Sequence, residues 1–290
     1  IRRPPRSTPK PSSAASDVYK RQKLNMVKME KFFFEVIVVG SGLSAKTTIV
    51  SLFKTGIIPF WIENIQNYKI NDDRTTMLSP KSFKMFKELG LKDFEKKSFP
   101  TKKINIKTQN QKNFTVFEDK KSLPICYLTE NNVLHQELDT LISKIEKNKK
   151  LVKVKDEIRS IKSDSDNNEI VLKSGDKIYS SLIIGVDGAN SKIRKIQNIK
   201  TKDHGIKKFG LVAIMEHETS HPNVSWQVFS ETGILALLAK DIKPNKRAVS
   251  SLIWSLDKKQ IDAIRNLPSK DFAVSYTHLR AHETGRNVVC

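Results

Sequence analysis

Three places in this chain carry residue types at spacings that suit phosphate and hydroxyl recognition. The first is Gly40-Ser41-Gly42-Leu43-Ser44-Ala45, a G-x-G-x-x-A turn. Gly40 permits the tight turn, Gly42 lets a backbone approach a pyrophosphate, and Ala45 lets a following helix pack close to a sheet. Leu43 opens that helix, and the free amides there, at the positive end of its dipole, favour bound phosphate. The second is Glu63, 23 residues after Gly40, where a carboxylate accepts hydrogen bonds from an adenosine ribose. The third is Asp187-Gly188, which follows an apolar run and leads to Asn190, Ser191 and Arg194. That segment also places backbone amides near a phosphate, and a simple helix-capping turn is its other reading. Arg74, at the end of a polar loop, is long enough to reach phosphates. Taken alone it reads as a surface residue.

These groups work only if regular elements hold them. Val36 to Val39 are β-branched and too few for a helix, so they predict a strand. A helical pattern follows to Lys54, with Gly56 where a C-cap belongs. Ile57 to Ile62 form a second apolar run ending at Glu63, which completes a βαβ unit. Ser79-Pro80 reads as N-cap and first turn of a helix over Lys81 to Leu89, closed by Gly90. Residues 100–130 alternate in short apolar and polar runs and predict a β-rich excursion. Residues 131–147 carry Val133, Leu134, Leu138, Leu141, Ile142 and Ile145 at helical spacing. His135 lies on that helix and reads as surface or core edge, not as a ligand. Strands are expected over Leu151 to Val154, Ile158 to Ile161, Glu169 to Leu172 and Leu182 to Val186, with Asp176 at a turn.

Composition bounds the classes. The 290 residues suffice for one large or two modest domains. No apolar run approaches the roughly 20 residues that span a bilayer. The two cysteines, Cys126 and Cys290, make neither a disulfide framework nor a C-x-x-C metal pair, so a reducing, cytosolic setting is expected and no metal. The net charge is +21, of which +5 lies in residues 1–22 and +1 in residues 274–290. The remaining lysines are scattered among Ile, Asn and Phe. They read as a compositional bias first, attraction to an anionic membrane surface second, and not as nucleic-acid binding, for which no motif accompanies the charge. Residues 1–22 are rich in Pro, Ser and Arg and lack periodicity. They resemble translated sequencing-linker read-through, as do residues 274–290; a transit peptide is the alternative for the first. Both ends are set apart from the fold, with Met26 or Met29 as the expected start.

Gly185-Val186-Asp187-Gly188-Ala189-Asn190-Ser191-Lys192-Ile193-Arg194, 147 residues on from Gly40 at Asp187, is similar to the form G-A-D-G-x-x-S-x-V-R. With the fingerprint and Arg74 it resembles the group A flavoprotein monooxygenases. A narrower resemblance is to the ubiquinone-biosynthesis ring hydroxylases. It rests on Glu130-Asn131, Leu134, His221, Phe229, the run Gly233 to Leu238, and Trp254. Ile234 stands where those proteins have Pro, and Ala239-Lys240 replaces a Pro-containing end. The resemblance covers about residues 34–265. The family's second flavin motif, G-D-A-x-H-x-x-x-P, is not found, so a fragment ending before it is expected.

The resemblance implies an α/β fold, α+β overall. Its parts are a Rossmann-like FAD-binding domain over 30–200, with a β excursion about 100–125, and an incomplete β-sheet substrate domain over 201–273. It implies FAD held by Gly40, Gly42, Leu43, Ala45, Glu63, Arg74, Asp187, Gly188 and Arg194. It also implies NADH or NADPH as electron donor, molecular oxygen, and hydroxylation of an aromatic ring, namely a polyprenylated phenol precursor of ubiquinone. Peripheral contact with the inner face of a membrane and a place in a ubiquinone-biosynthesis complex go with it. His221 is read as lining the substrate side or as structural at a strand end; no catalytic side chain is assigned. The competing readings are a reductase or halogenase on the same fold, the latter disfavoured by the missing W-x-W-x-I-P, and a non-catalytic nucleotide-binding fragment.

Overall fold

A computed structural model describes residues 32–63, 74–111, 113–148, 151–205, 207–217, 222–231, 233–242, 248–268 and 271. The chain forms two compact units, residues 1–70 with 135–201, and residues 71–134 with 202–290.

The first unit is built on β1 (Phe32–Val39), the run the sequence marked by its β-branched residues. It lies between two parallel neighbours, β2 (Phe60–Glu63) and β11 (Lys177–Gly185). A strand paired on both sides and covered on both faces has no polar face, which is why Val36 to Val39 read as an unbroken apolar run. β8 (Val152–Lys155) continues the parallel set beyond β2. β10 (Asn168–Leu172) and β9 (Ile158–Ser163) extend it antiparallel beyond β11, giving the order β8-β2-β1-β11-β10-β9. One face gathers Ile37, Val39, Phe60, Ile62, Val152, Ile158, Ile170, Leu172 and Ile178 into a core. Each such side chain taken from water contributes about 2 kcal/mol. Between β1 and β2 runs α1 (Leu43–Lys54), which packs on β1 and buries Ala45, Ile49 and Val50. Gly56 closes it at a φ of 88°, a left-handed value that glycine adopts without strain.

The second unit holds a six-stranded sheet of order β12-β15-β14-β13-β5-β6 and a three-stranded sheet β3-β7-β4. The large sheet comprises β5 (Lys103–Thr108), β6 (Thr115–Glu118), β12 (Phe209–His217), β13 (Val224–Ser230), β14 (Gly233–Ile242) and β15 (Ala248–Leu256). All its pairings are antiparallel except β13 with β5. Leu235, Leu237, Leu252, Trp254 and Leu256 form its core, against which Ile261 and Ile264 of α5 (Lys258–Arg265) pack. The small sheet is β3 (Thr75–Leu78), β4 (Ser98–Thr101) and β7 (Cys126–Glu130). Beside it, α2 (Pro80–Leu89) starts on a Ser79 cap that accepts from the Ser82 amide and stops at left-handed Gly90, as expected. Phe83 of this helix stacks on Tyr127 with ring centres 3.7 Å apart.

One expectation is corrected. Residues 100–125 are β-rich, but they are no excursion of a 30–200 domain. β5 hydrogen-bonds in register with β13, Lys103 opposite Val224 through Thr108 opposite Phe229. The segment therefore belongs to the second unit's sheet. The physical reason is that an edge of free amides and carbonyls is completed by whichever strand fits it, however distant in sequence.

Candidate functional site

The site forms where three parallel strands of the first unit end side by side. Val39 is in register with Ile62 on one side and Gly185 on the other. Gly40, Glu63 and Val186 therefore stand at one level, along the sheet's carboxyl edge, where open α/β sheets bind ligands. Backbone hydrogen bonds lock the three together. The Gly40 amide donates to the Ile62 carbonyl at 3.0 Å, and the Val186 amide to the Val39 carbonyl at 2.9 Å.

Gly40 is fixed twice over. Its φ is 142°, and a Cβ there would stand 2.3 Å from the Val186 carbonyl oxygen. Its own carbonyl accepts from the buried Trp61 indole at 2.7 Å. Trp61 was missed from the sequence, because its spacing showed only a strand position and nothing told that its ring reaches back 21 residues. Lys153 on β8 lies over the same indole, 5.4 Å from its centre.

Gly42 differs. Its φ of −80° is open to any residue, so only the space before it calls for glycine. It is the N-cap of α1 and has no side chain to cap that first turn, which also lacks an acidic residue. Leu43 begins the helix half-buried, and Ala45 is completely buried against the sheet. A helix start without a side-chain cap presents amides and positive dipole to an anion.

Glu63 and Asp187 flank this start. Glu63 has one carboxylate oxygen, Oε2, buried with no hydrogen-bond donor. Lys155 Nζ is 3.9 Å away, the edge of ion pairing. Asp187 divides its two oxygens. Oδ2 accepts from the amides of Lys192, at 2.6 Å, and Ile193, at 3.2 Å. Oδ1 is buried without a partner. A buried acceptor left without a donor is costly unless a ligand supplies one. Gly188, at a φ of 87°, makes the turn that lets Asp187 face back onto α4 (Lys192–Ile196).

This geometry corrects the phosphate reading of the 185–194 segment. The first amides of α4 are not open. Asp187 takes two, and Ser191 Oγ accepts from the Arg194 amide at 3.0 Å. Arg194 is also engaged, its Nη2 donating to the Ala189 carbonyl at 2.5 Å. The turn is a capping turn that leaves one carboxylate oxygen over, and the open helix start is that of α1.

The structure thus brings Gly40, Gly42, Leu43, Ala45, Glu63, Asp187, Gly188 and Arg194 into one unit. Arg74 lies in the other, exposed at the start of β3, its carbonyl accepting from the Asn131 amide. His221 falls outside the described residues. His135, half-buried within α3 (Asn131–Lys147), has its Nδ1 3.1 Å from Lys46 Nζ, which also pairs with Asp139 at 2.7 Å. Cys126 is buried, and burial pushes its thiol above the ordinary value against a smaller opposing hydrogen bond with Thr101. Among the described residues no cluster of His, Cys, Asp and Glu stands at metal-binding distance.

The model of the FAD binding domain family matches residues 34–266. The chain belongs to that family. The residues fit FAD by their own chemistry. An uncapped helix start suits its pyrophosphate, and two buried acceptors without donors suit its ribose and ribityl hydroxyls. The chain is similar to the mitochondrial ubiquinone biosynthesis monooxygenase COQ6 of Caenorhabditis elegans, 28% identical over 83% of this chain and 56% of that one. It is 24% identical to the 3-demethoxyubiquinol 3-hydroxylase of Escherichia coli, over 80% of this chain and 60% of the other. The chain spans about half the length of the curated relatives it matches. Among solved structures, the p-nitrophenol 4-monooxygenase PnpA of Pseudomonas putida shares the fold, with a TM-score of 0.62 over 88% of this chain and 63% of that chain at 13% identity. The fold expected from the sequence, a Rossmann-like FAD-binding unit with a β-sheet unit, is the fold found.

Proposed function

We propose that this chain is the FAD-binding part of a monooxygenase that hydroxylates an aromatic ring at the expense of NADH or NADPH, with a polyprenylated phenol precursor of ubiquinone as substrate. One observation carries the proposal. Two buried carboxylate oxygens without donors flank an uncapped helix start, on a chain whose relatives are named as ubiquinone-biosynthesis hydroxylases. FAD, when bound, supplies the oxygen-transfer chemistry. The chain's own residues bind and orient it. The α1 amides after Gly42 hold the pyrophosphate, Glu63 Oε2 accepts from the adenosine ribose, and Asp187 Oδ1 accepts from a hydroxyl nearer the flavin ring. Arg194 is proposed to add positive charge to that site.

The test is direct. Purified protein is expected to retain FAD, and to oxidise NADH or NADPH faster when given a short-chain prenylated phenol, with oxygen uptake and a product heavier by one oxygen atom. Substrate-independent oxidation with no oxygenated product points to a reductase instead. Protein that takes up no FAD sinks both.

A polyprenylated substrate resides in a bilayer, and no helix among the described residues is long and apolar enough to cross one. We therefore also propose peripheral attachment through the excess of lysine. Flotation with anionic liposomes is expected at low salt, with release at about 0.5 M salt, where screening shortens the reach of charge to a few ångströms. Absence of flotation at low salt removes this proposal. A place in a ubiquinone-biosynthesis complex is proposed on the relatives' names alone.

A further inference from the structure

This inference rests on the reading of the Gly40–Asp187 edge as an FAD site, and concerns what keeps its two sides aligned. Asp156 and Glu157 form the turn between β8 and β9. The Asp156 amide donates to the Glu63 carbonyl at 3.2 Å, which hooks the turn to the strand end on the ribose side. Asp156 is buried, and its oxygens accept from the Glu157 amide at 2.6 Å and the Ser174 amide at 3.3 Å. The Lys173 amide donates to the Glu157 carbonyl at 2.8 Å. Glu157 thus projects from a turn with little freedom.

Its carboxylate oxygen Oε2 takes two ammonium groups, that of Lys173 and that of Lys192, the latter at 2.5 Å. Those hydrogen bonds, Lys173 first and Lys192 second, hold the Glu157 carboxyl down at about 2. Lys192 is the first residue of α4, and its amide donates to Asp187 Oδ2. α4 has five residues, far too few to be stable from its own backbone bonds. Ile193 and Ile196 pack it on the sheet, which resists lifting but leaves it freer to slide and turn. An ion pair at its first residue supplies the missing restraint.

We propose that Glu157 is a positioning residue of the cofactor site. Through Lys192 it fixes the first turn of α4, so that the Asp187 carboxylate keeps its orientation, and through the Asp156 turn it couples that orientation to the strand end bearing Glu63. Nothing in the sequence pattern marks Glu157, which sits in an ordinary turn between two strands.

Two readouts test this on the full chain: hydrogen exchange at the amides of Lys192 and Ile193 without FAD, and FAD affinity by quenching of flavin fluorescence. Glu157→Gln and Lys192→Gln are each expected to speed exchange at both amides and to weaken FAD binding about threefold, the range for losing an exposed ion pair. The double variant is expected to be no weaker than either single one, because the two act as one pair. Lys173→Gln is expected to leave both readouts nearly unchanged. The proposal is overturned if Glu157→Gln leaves exchange at the two amides unaltered. It is equally overturned if the two single effects multiply, or if Lys173→Gln reproduces Glu157→Gln while Lys192→Gln does nothing. A wild-type chain that takes up no FAD overturns the FAD reading itself; the exchange arm then still decides whether Glu157 anchors α4.

Discussion

Gly40→Ala is expected to cost about 4 kcal/mol of stability and to abolish FAD retention. Two penalties combine. At a φ of 142° any L side chain is strained, which costs about 1–3 kcal/mol. The added Cβ would also lie 2.3 Å from the Val186 carbonyl oxygen and 2.7 Å from its carbon. Both are backbone atoms held at the carboxyl edge of the sheet by the Val186–Val39 hydrogen bond, so neither can swing aside as a side-chain end would. Relief requires β1 and β11 to separate where the Val186 amide bonds the Val39 carbonyl. That movement carries Asp187 away from the start of α1. For a chain of this size the loss corresponds to a melting point about 7 °C lower. Gly42→Ala is the informative companion. Its backbone is unstrained, so the fold is expected to survive while FAD affinity falls, by crowding before the helix. Equal melting points for wild type and Gly40→Ala would refute the account of Gly40. A Gly42→Ala variant as unstable as Gly40→Ala would refute the contrast.

Asp187→Asn separates the two jobs of that side chain. The Asn carbonyl oxygen can still accept from the Lys192 and Ile193 amides, so α4 keeps its cap and the melting point is expected to change little. The other position becomes an NH₂, a donor in place of the buried acceptor Oδ1. A hydroxyl that donates there loses its partner and meets another donor. The expected loss is about 1.5–3 kcal/mol of binding, or roughly 10- to 150-fold in FAD affinity. Asp187→Ala is expected to lose both, with faster exchange in α4 as well as weaker binding. Isothermal titration with FAD beside thermal unfolding measures the pair of effects. Unchanged affinity in Asp187→Asn would show that Oδ1 faces no cofactor hydroxyl.

The local signals in this sequence were strong because each is set by nearby atoms. Val36 to Val39 read as a buried strand since β-branching and unbroken apolarity suffice for that. Ser79-Pro80 and Gly90 bounded a helix since capping depends on a few adjacent residues. The fingerprint glycines were legible since a turn's backbone demands are local, and 147 residues on the Asp187-Gly188 pair was legible as a turn for the same reason.

Tertiary structure decided what depended on distant partners. That β5 belongs beside β13 follows from which sheet edge was open to residues 103–108, and a strand's alternation does not name its neighbour. That Gly40 needs to be glycine because of Val186, and is gripped by Trp61, shows only once β1, β2 and β11 stand in register. The sequence pointed to two phosphate-binding helix starts. At α4 the Asp187 carboxylate and the Ser191 hydroxyl reach the amides first, while at α1 the N-cap is a glycine with no side chain to do so. Residue types alone pointed to a dinucleotide site and to its candidate glycine, acid and aspartate. Which atoms of those residues stay unpaired was decided by hydrogen bonds the fold completes within itself, since a donor already paired is no longer offered to a ligand.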